Sequence, residues 1–217
     1  SADAGTLALT APPEHATEPP AIVGAIVADG ERVHNAAIVV EGGRVAGRYD
    51  KQILLPFSEY LPLAEQLPWL RELSPASGAF TPGRHPGPVR VTNRNVAVVI
   101  CYEDVLAAQV RRSSDGRAEL LVNLTNDAWF GSSGEPEVHL ALARFRAIEQ
   151  RKYLVRATNS GVSALVDPAG RVVAALPSSA PASRVVEARW LAGRSIYDRA
   201  APLLPAASLL GLVALSI

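Results

Sequence analysis

Val96-Ala97-Val98-Val99-Ile100 runs without a break into Cys101, the only cysteine among 217 residues, and the chain then turns polar at Glu103-Asp104. An unbroken run of β-branched and apolar residues has the pattern of a strand covered on both faces, so the chain must build a sheet between two layers. Val105 to Val110 follow at helical spacing, with a helix expected over Asp104–Arg112, which sets Cys101 at a strand-to-helix elbow. Free N–H groups of a first helical turn stabilise negative charge on sulfur and donate to a developing oxyanion. Two readings of Cys101 follow: a nucleophile at the elbow, or a small core residue of a type that is usually buried.

The choice of basic residues singles out a second position. Of 21 lysines and arginines only Lys51 and Lys152 are lysines, so the chain uses arginine almost wherever it needs a solvated positive charge. Lys51 ends the strand-like segment Arg44–Tyr49 and stands eight residues before Glu59. An ammonium is a compact point charge that tolerates partial desolvation beside an oxyanion, whereas a guanidinium is bulkier. The competing reading is a surface lysine, and the company of Glu59 and Cys101 at neighbouring element ends weighs against it.

These segments carry a family resemblance. Tyr49-Asp50-Lys51, Pro56-Phe57-Ser58-Glu59-Tyr60, Ile100-Cys101-Tyr102-Glu103 and Asn126-Asp127-Ala128-Trp129-Phe130-Gly131 together resemble the nitrilase, or carbon–nitrogen hydrolase, superfamily. Within it they are most similar to the periplasmic domain of the apolipoprotein N-acyltransferases. Arg146-Ala147-Ile148-Glu149 and Arg156-Ala157-Thr158-Asn159-Ser160-Gly161 extend the match, which runs from about Ala21 to the C-terminus. The combination is specific, although each short string alone is weak.

The resemblance implies an α/β fold, the four-layer α-β-β-α nitrilase-like sandwich, and a catalytic set of Cys101, Lys51 and Glu59. It implies ping-pong acyl transfer in which Cys101 takes an acyl chain from a phospholipid as a thioester and passes it to the α-amine of a lipid-modified N-terminal cysteine of a lipoprotein. Lys51 and the amide after the cysteine would hold the oxyanion, Glu59 would position Lys51, and Tyr102 and Glu103 would orient the elbow. Trp129-Phe130 either meet acyl chains or pack in the core. The family's general base is a glutamate in a Trp-Pro-Glu motif. Here Pro13-Glu14 lacks the tryptophan, and only eight positions separate Glu14 from Ile22, too few for a strand-end turn plus an ordinary helix. The base is therefore Glu14 or a residue beyond this sequence.

Composition sets limits on partners. A length of 217 residues with 48% apolar and 19% charged residues suits one well-buried domain, and a formal net charge of zero gives no reason to expect nucleic acid. One cysteine excludes an internal disulfide. His139 and Glu149 share a helix without metal-ligand spacing to any other residue, so neither metal nor organic cofactor is expected. From Ala200 to Ile217 eighteen residues carry no charge, close to the minimum for a membrane span.

The expected organisation is an atypical or truncated segment over 1–20, a nitrilase-like catalytic domain over 21–199 and the start of a membrane helix over 200–217. The chain, which contains no methionine, is expected to be a piece of a longer protein. By resemblance that protein sits in the bacterial inner membrane with this domain on the periplasmic face. Two alternatives stand beside the acyltransferase: a soluble amidase using the same residues with water as acceptor, and a catalytically incomplete domain serving as a membrane-associated interaction module.

Further elements follow from periodicity. Strands are expected at Ala21–Ala28, Asn35–Val40, Arg44–Tyr49, Asn95–Ile100, Glu119–Leu124, Leu154–Ala157, Ser163–Val166, Val172–Ala175 and Arg184–Ala188. Helical spacing appears over Leu61–Leu73 and Val138–Arg151, and the glycine- and proline-rich Ser74–Pro88 reads as a loop.

Overall fold

β-Branched runs separated by glycine turns build the first sheet. In the computed structural model, which describes residues 19–64, 66–67, 69–73, 78–128, 133–176 and 181–203, strands β1 (Ala21–Asp29), β2 (Arg32–Glu41) and β3 (Arg44–Asp50) pair antiparallel in that order. Gly30, Gly42 and Gly43 make the two turns with φ of 61°, 54° and 70°, a region that only glycine enters without strain.

The second sheet has six strands in the order β4 (Val89–Val91), β5 (Arg94–Ile100), β6 (Leu120–Thr125), β7 (Leu154–Thr158), β8 (Ala164–Val166) and β9 (Val172–Ala175). The central trio β5, β6 and β7 is parallel and the outer pairings are antiparallel. Parallel neighbours need crossovers, and helices α2 (Ala107–Ser114) and α3 (Glu135–Gln150) supply them. α1 (Leu70–Leu73) precedes β4, and α4 (Ile196–Ala200) lies near the end of the chain.

Side-chain alternation in β5 divides the core. Val96, Val98 and Ile100 face the three-stranded sheet and pack with Ala37, Val39 and Tyr49. Ala97 and Val99 face the other way and pack with Val110, Leu140, Ala143 and Ala147 of the helices. On α3 the buried positions Pro136, His139, Leu140, Ala143, Ala147 and Gln150 recur at three- and four-residue steps, and the two alanines, fully buried, let the helix lie close on the sheet.

The α/β sandwich of two facing sheets is as expected, and the structure adds β4 and α4, which the sequence pattern did not announce, and differs in further details. The helix expected over Asp104–Arg112 is split: a 3₁₀ turn, Cys101–Val105, precedes α2. Residues 184–188 pair with no strand, and Val185 is 97% exposed, because this segment is tied down only further on, by Trp190 beneath Arg94 and by Leu191 N–H to the Glu119 carbonyl at 3.0 Å. Of the helical stretch expected over Leu61–Leu73, only the single turn α1 is helix among the described residues, the others forming turns, as Pro62 and Pro68 would break anything longer.

Among the described residues the layers are helices, six-stranded sheet and three-stranded sheet, and none of these helices packs substantially on the three-stranded sheet. The fourth layer of the expected sandwich is therefore not among the described elements. Residues 1–18, with Glu14, and 204–217, most of the uncharged tail, lie outside the described residues, and no described helix is long and apolar enough to cross a membrane.

Candidate active site

The elbow forms where the alternation of β5 breaks. Strand parity would send residue 101 toward the helices with Ala97 and Val99, yet Cys101 packs beside Ile100 on the cluster between the sheets. The break lies in the backbone: Cys101 has φ 53°, a left-handed conformation that costs a non-glycine residue on the order of 1 kcal/mol or more and persists only where the surroundings enforce it.

Glu103 is one of the groups that enforce it. Its carboxylate is completely buried and is encircled by donors: Oε1 accepts from the amides of Gln52 (2.7 Å) and Ile53 (2.9 Å), and Oε2 accepts from the Ile100 amide (2.8 Å) and the Tyr49 hydroxyl (2.9 Å). One side chain thus joins the end of β5 to the loop after Lys51. Burial pushes the Glu103 carboxyl above the usual carboxylate range, against the pull of the three amides and the phenol. Tyr49 is driven upward by burial and then by the Glu103 charge. Glu103, rather than the exposed Tyr102, organises the elbow.

Lys51 is 2% exposed at the end of β3 and gives Nζ to Glu59 Oε2 at 2.6 Å. Glu59 is itself fixed: Oε2 accepts the Leu55 amide at 2.8 Å and Oε1 the Asn35 amide group at 3.3 Å. The Lys51 backbone is held on both sides, donating to the Asn35 carbonyl (2.8 Å) and accepting from Gly83 N–H (2.8 Å). Gly83 is obligatory there, since a Cβ would collide with the Asp50 carbonyl. Lys51 and Glu59 form one ion pair, its lysine buried and its glutamate half-buried, and Glu103 ties their loop to the elbow of Cys101.

Behind the elbow lies a charged cluster that the sequence did not disclose. Asp104, in the same 3₁₀ turn as Cys101, accepts from His139 Nε2 (2.8 Å) and Arg156 Nη1 (2.6 Å). Asp127 accepts from His139 Nδ1 (3.1 Å) and Arg156 Nη2 (2.9 Å). The two aspartates and the arginine have no exposed side-chain surface. With His139 protonated, two carboxylates against a guanidinium and an imidazolium leave the group neutral, the condition under which buried charges are tolerated. Gly161 closes the cluster, as a Cβ there would strike Asp127.

Burial draws the His139 imidazole down, but hydrogen bonds to Asp104 and Asp127 outweigh it and raise the group to about 9. A histidine raised from about 6.5 stabilises the fold fully below pH 6.5 and loses that contribution as pH rises through 9. Thermal melts are therefore expected to fall between about pH 6.5 and 9 in the parent and to flatten over that window in His139→Gln. Equal slopes in the two proteins would show that His139 is not charged in the fold.

His139 thus has partners, not the isolation its helix spacing gave it. Arg156 and Asn123 are register partners on parallel β7 and β6, and Asp104 and Asp127 follow the C-terminal ends of β5 and β6. Polar residues near the ends of adjacent parallel strands were the available signal. Trp129 and Phe130 lie outside the described residues. Among the described residues no group of three His, Cys, Asp or Glu side chains is placed to hold a metal ion.

Two sheets lie face to face, a cysteine elbow follows a central parallel strand, and Glu103 ties that elbow to the loop of the Lys51–Glu59 ion pair. Residues 15–186 match the family model described as carbon–nitrogen hydrolase, and the chain belongs to that family. Among curated relatives it is 36% identical over 184 residues to the apolipoprotein N-acyltransferase of Geobacter metallireducens, covering 82% of this chain and 35% of that protein. It is 40% identical over 154 residues to the apolipoprotein N-acyltransferase of Methylococcus capsulatus, covering 69% and 30%. The chain thus spans about a third of the length of these relatives.

Among solved structures, a carbon–nitrogen hydrolase from Helicobacter pylori aligns with a TM-score of 0.54 at 17% identity, covering 72% of this chain and 57% of that one. An amidase from Nesterenkonia sp. aligns with 0.53 at 22%, covering 74% and 57%. At these identities the structures speak for the fold.

Proposed function

We propose that this chain is the catalytic domain, bounded near 21–199, of an apolipoprotein N-acyltransferase, with Cys101 as nucleophile, Lys51 as oxyanion partner and Glu59 as the residue that positions Lys51. The observation that carries the reading is the Glu103 carboxylate, which ties the Cys101 elbow to the loop of the Lys51–Glu59 ion pair, in a chain whose curated relatives are N-acyltransferases.

In the first half-reaction the Cys101 sulfur attacks the ester carbonyl of a phospholipid acyl chain. A C–S bond forms, the C–O bond breaks, and the lysophospholipid leaves with the proton a glutamate base took from the thiol. In the second the α-amine of a diacylglyceryl-modified N-terminal cysteine attacks the thioester. A C–N bond forms, the C–S bond breaks, and the glutamate base takes the amine proton and returns it to the leaving Cys101 sulfur. The base is Glu14 or a residue beyond this sequence, and its loss is worth about 10²–10⁴-fold in rate. The uncharged stretch from Ala200 supports a membrane helix beginning there, and with it a place at the periplasmic face of the inner membrane.

The test is to supply the full-length gene product with phospholipid and a diacylglyceryl-cysteinyl peptide. The expected product is the N-acylated peptide, while release of ammonia from simple carboxamides in its place would favour the amidase reading. Lys51→Arg keeps the charge but misplaces it, and the expected loss in acyl transfer is at least about tenfold. Full activity in that variant would leave Lys51 a structural partner of Glu59.

A further inference from the structure

We infer that Asn123 is a positioning residue that sets the direction of the Tyr102 N–H by gripping the carbonyl of Cys101. The inference rests on the acyl-transfer reading of the site.

Asn123 is a fully buried amide on a central strand, flanked in register by Val99 of β5 and Arg156 of β7. Its Oδ1 accepts from Arg156 Nη1 at 3.4 Å and its Nδ2 donates to the Cys101 carbonyl at 3.1 Å. Chemistry fixes this orientation, because a guanidinium only donates and a carbonyl only accepts. Arg156 in turn is locked by Asp104 and Asp127. The arginine therefore reaches the elbow twice, through Asp104 in the 3₁₀ turn and through Asn123 at the nucleophile's own carbonyl.

The peptide joining Cys101 to Tyr102 is planar and trans, so its C=O and N–H point in opposite directions. Holding the carbonyl against Asn123, inside the sheet, turns the Tyr102 N–H away from it. In the proposed mechanism that N–H is the donor that meets the oxyanion. In the left-handed conformation at Cys101, a grip on the carbonyl is what keeps the plane from rotating.

Asn123→Asp tests this at constant size. The acceptor toward Arg156 remains, but a carboxylate oxygen now opposes the Cys101 carbonyl and the plane is driven to turn. Two reactions of the only cysteine separate aim from nucleophilicity: alkylation by iodoacetamide, which develops no oxyanion, and acylation by a p-nitrophenyl ester, which does. In Asn123→Asp, and in the uncharged Asn123→Ser, acylation is expected to fall by at least about tenfold. Alkylation should change less than about threefold in variants shown to be folded by thermal melts.

Normal acylation in both folded variants would overturn the inference alone, as would equal losses in the two reactions, which would mean a general loosening of the elbow. If Asn123→Asp does not fold, the outcome in Asn123→Ser decides. A parent chain that alkylates but never acylates would overturn the acyl-transfer reading and this inference with it.

Discussion

Alanine at position 101 is expected to reduce acyl transfer to the background of the assay while leaving the fold intact. In the proposed mechanism the Cys101 sulfur carries the acyl group between donor and acceptor, so its removal deletes the covalent route rather than slowing it. The structural cost is small. Cys101 is only partly buried, its side chain is short, and alanine meets the same left-handed backbone, so the loss of stability is expected to stay below about 1 kcal/mol. Melting curves for Cys101→Ala that nearly superimpose on the parent, beside absent N-acylated product, are the expected pair of results. Residual acylation at a substantial fraction of the parent rate would move the nucleophile elsewhere.

Glu103 carries the largest expected effect on stability. Glu103→Ala leaves three backbone amides and the Tyr49 hydroxyl without their acceptor in a buried site, and each abandoned group costs about 1–3 kcal/mol unless water reaches it. A total of at least about 3 kcal/mol is expected, which for a chain of this size lowers the melting temperature by roughly 6–12 °C. Glu103→Gln is milder: Oε1 still serves Gln52 and Ile53, the Tyr49 hydroxyl can turn to accept, and the Ile100 amide alone meets a donor, at about 1–3 kcal/mol. The order parent, Gln, Ala in melting temperature is the expected outcome. Because Glu103 also ties the Lys51 loop to the elbow, acyl transfer should fall in the same order at temperatures where both variants remain folded. Equal stability of Ala and parent would mean that the carboxylate is not the tie between the two loops.

How much of this could be read from the chain depends on how local the signal is. The apolar run into Cys101 and its change of character announce a buried strand and an elbow, and the lysine at 51 stands out against nineteen arginines. The partnership of Lys51 with Glu59 spans eight residues and was legible from spacing and resemblance together. The quartet was not. Asp104, Asp127, His139 and Arg156 come from four separate segments and meet only because the parallel strands β5, β6 and β7 lie side by side with α3 packed across them. Helical periodicity cannot see a partner 35 residues away, so His139 looked isolated. The 3₁₀ turn was hidden for a related reason: Glu103 and Asp104 read as helix-start charges, whereas both side chains turn inward to buried partners that hold the turn. Residues 184–188 show the converse, a β-like pattern with no neighbouring edge to pair with.

The most direct measurement is the mass of the intact full-length gene product after incubation with phospholipid and no acceptor. With Cys101 as nucleophile, the expected result is an increase equal to one acyl group, removed by hydroxylamine, mapped to Cys101 and absent from Cys101→Ala. An acyl adduct that persists in Cys101→Ala, or a parent that turns over acceptor without ever carrying an acyl group on Cys101, would contradict it.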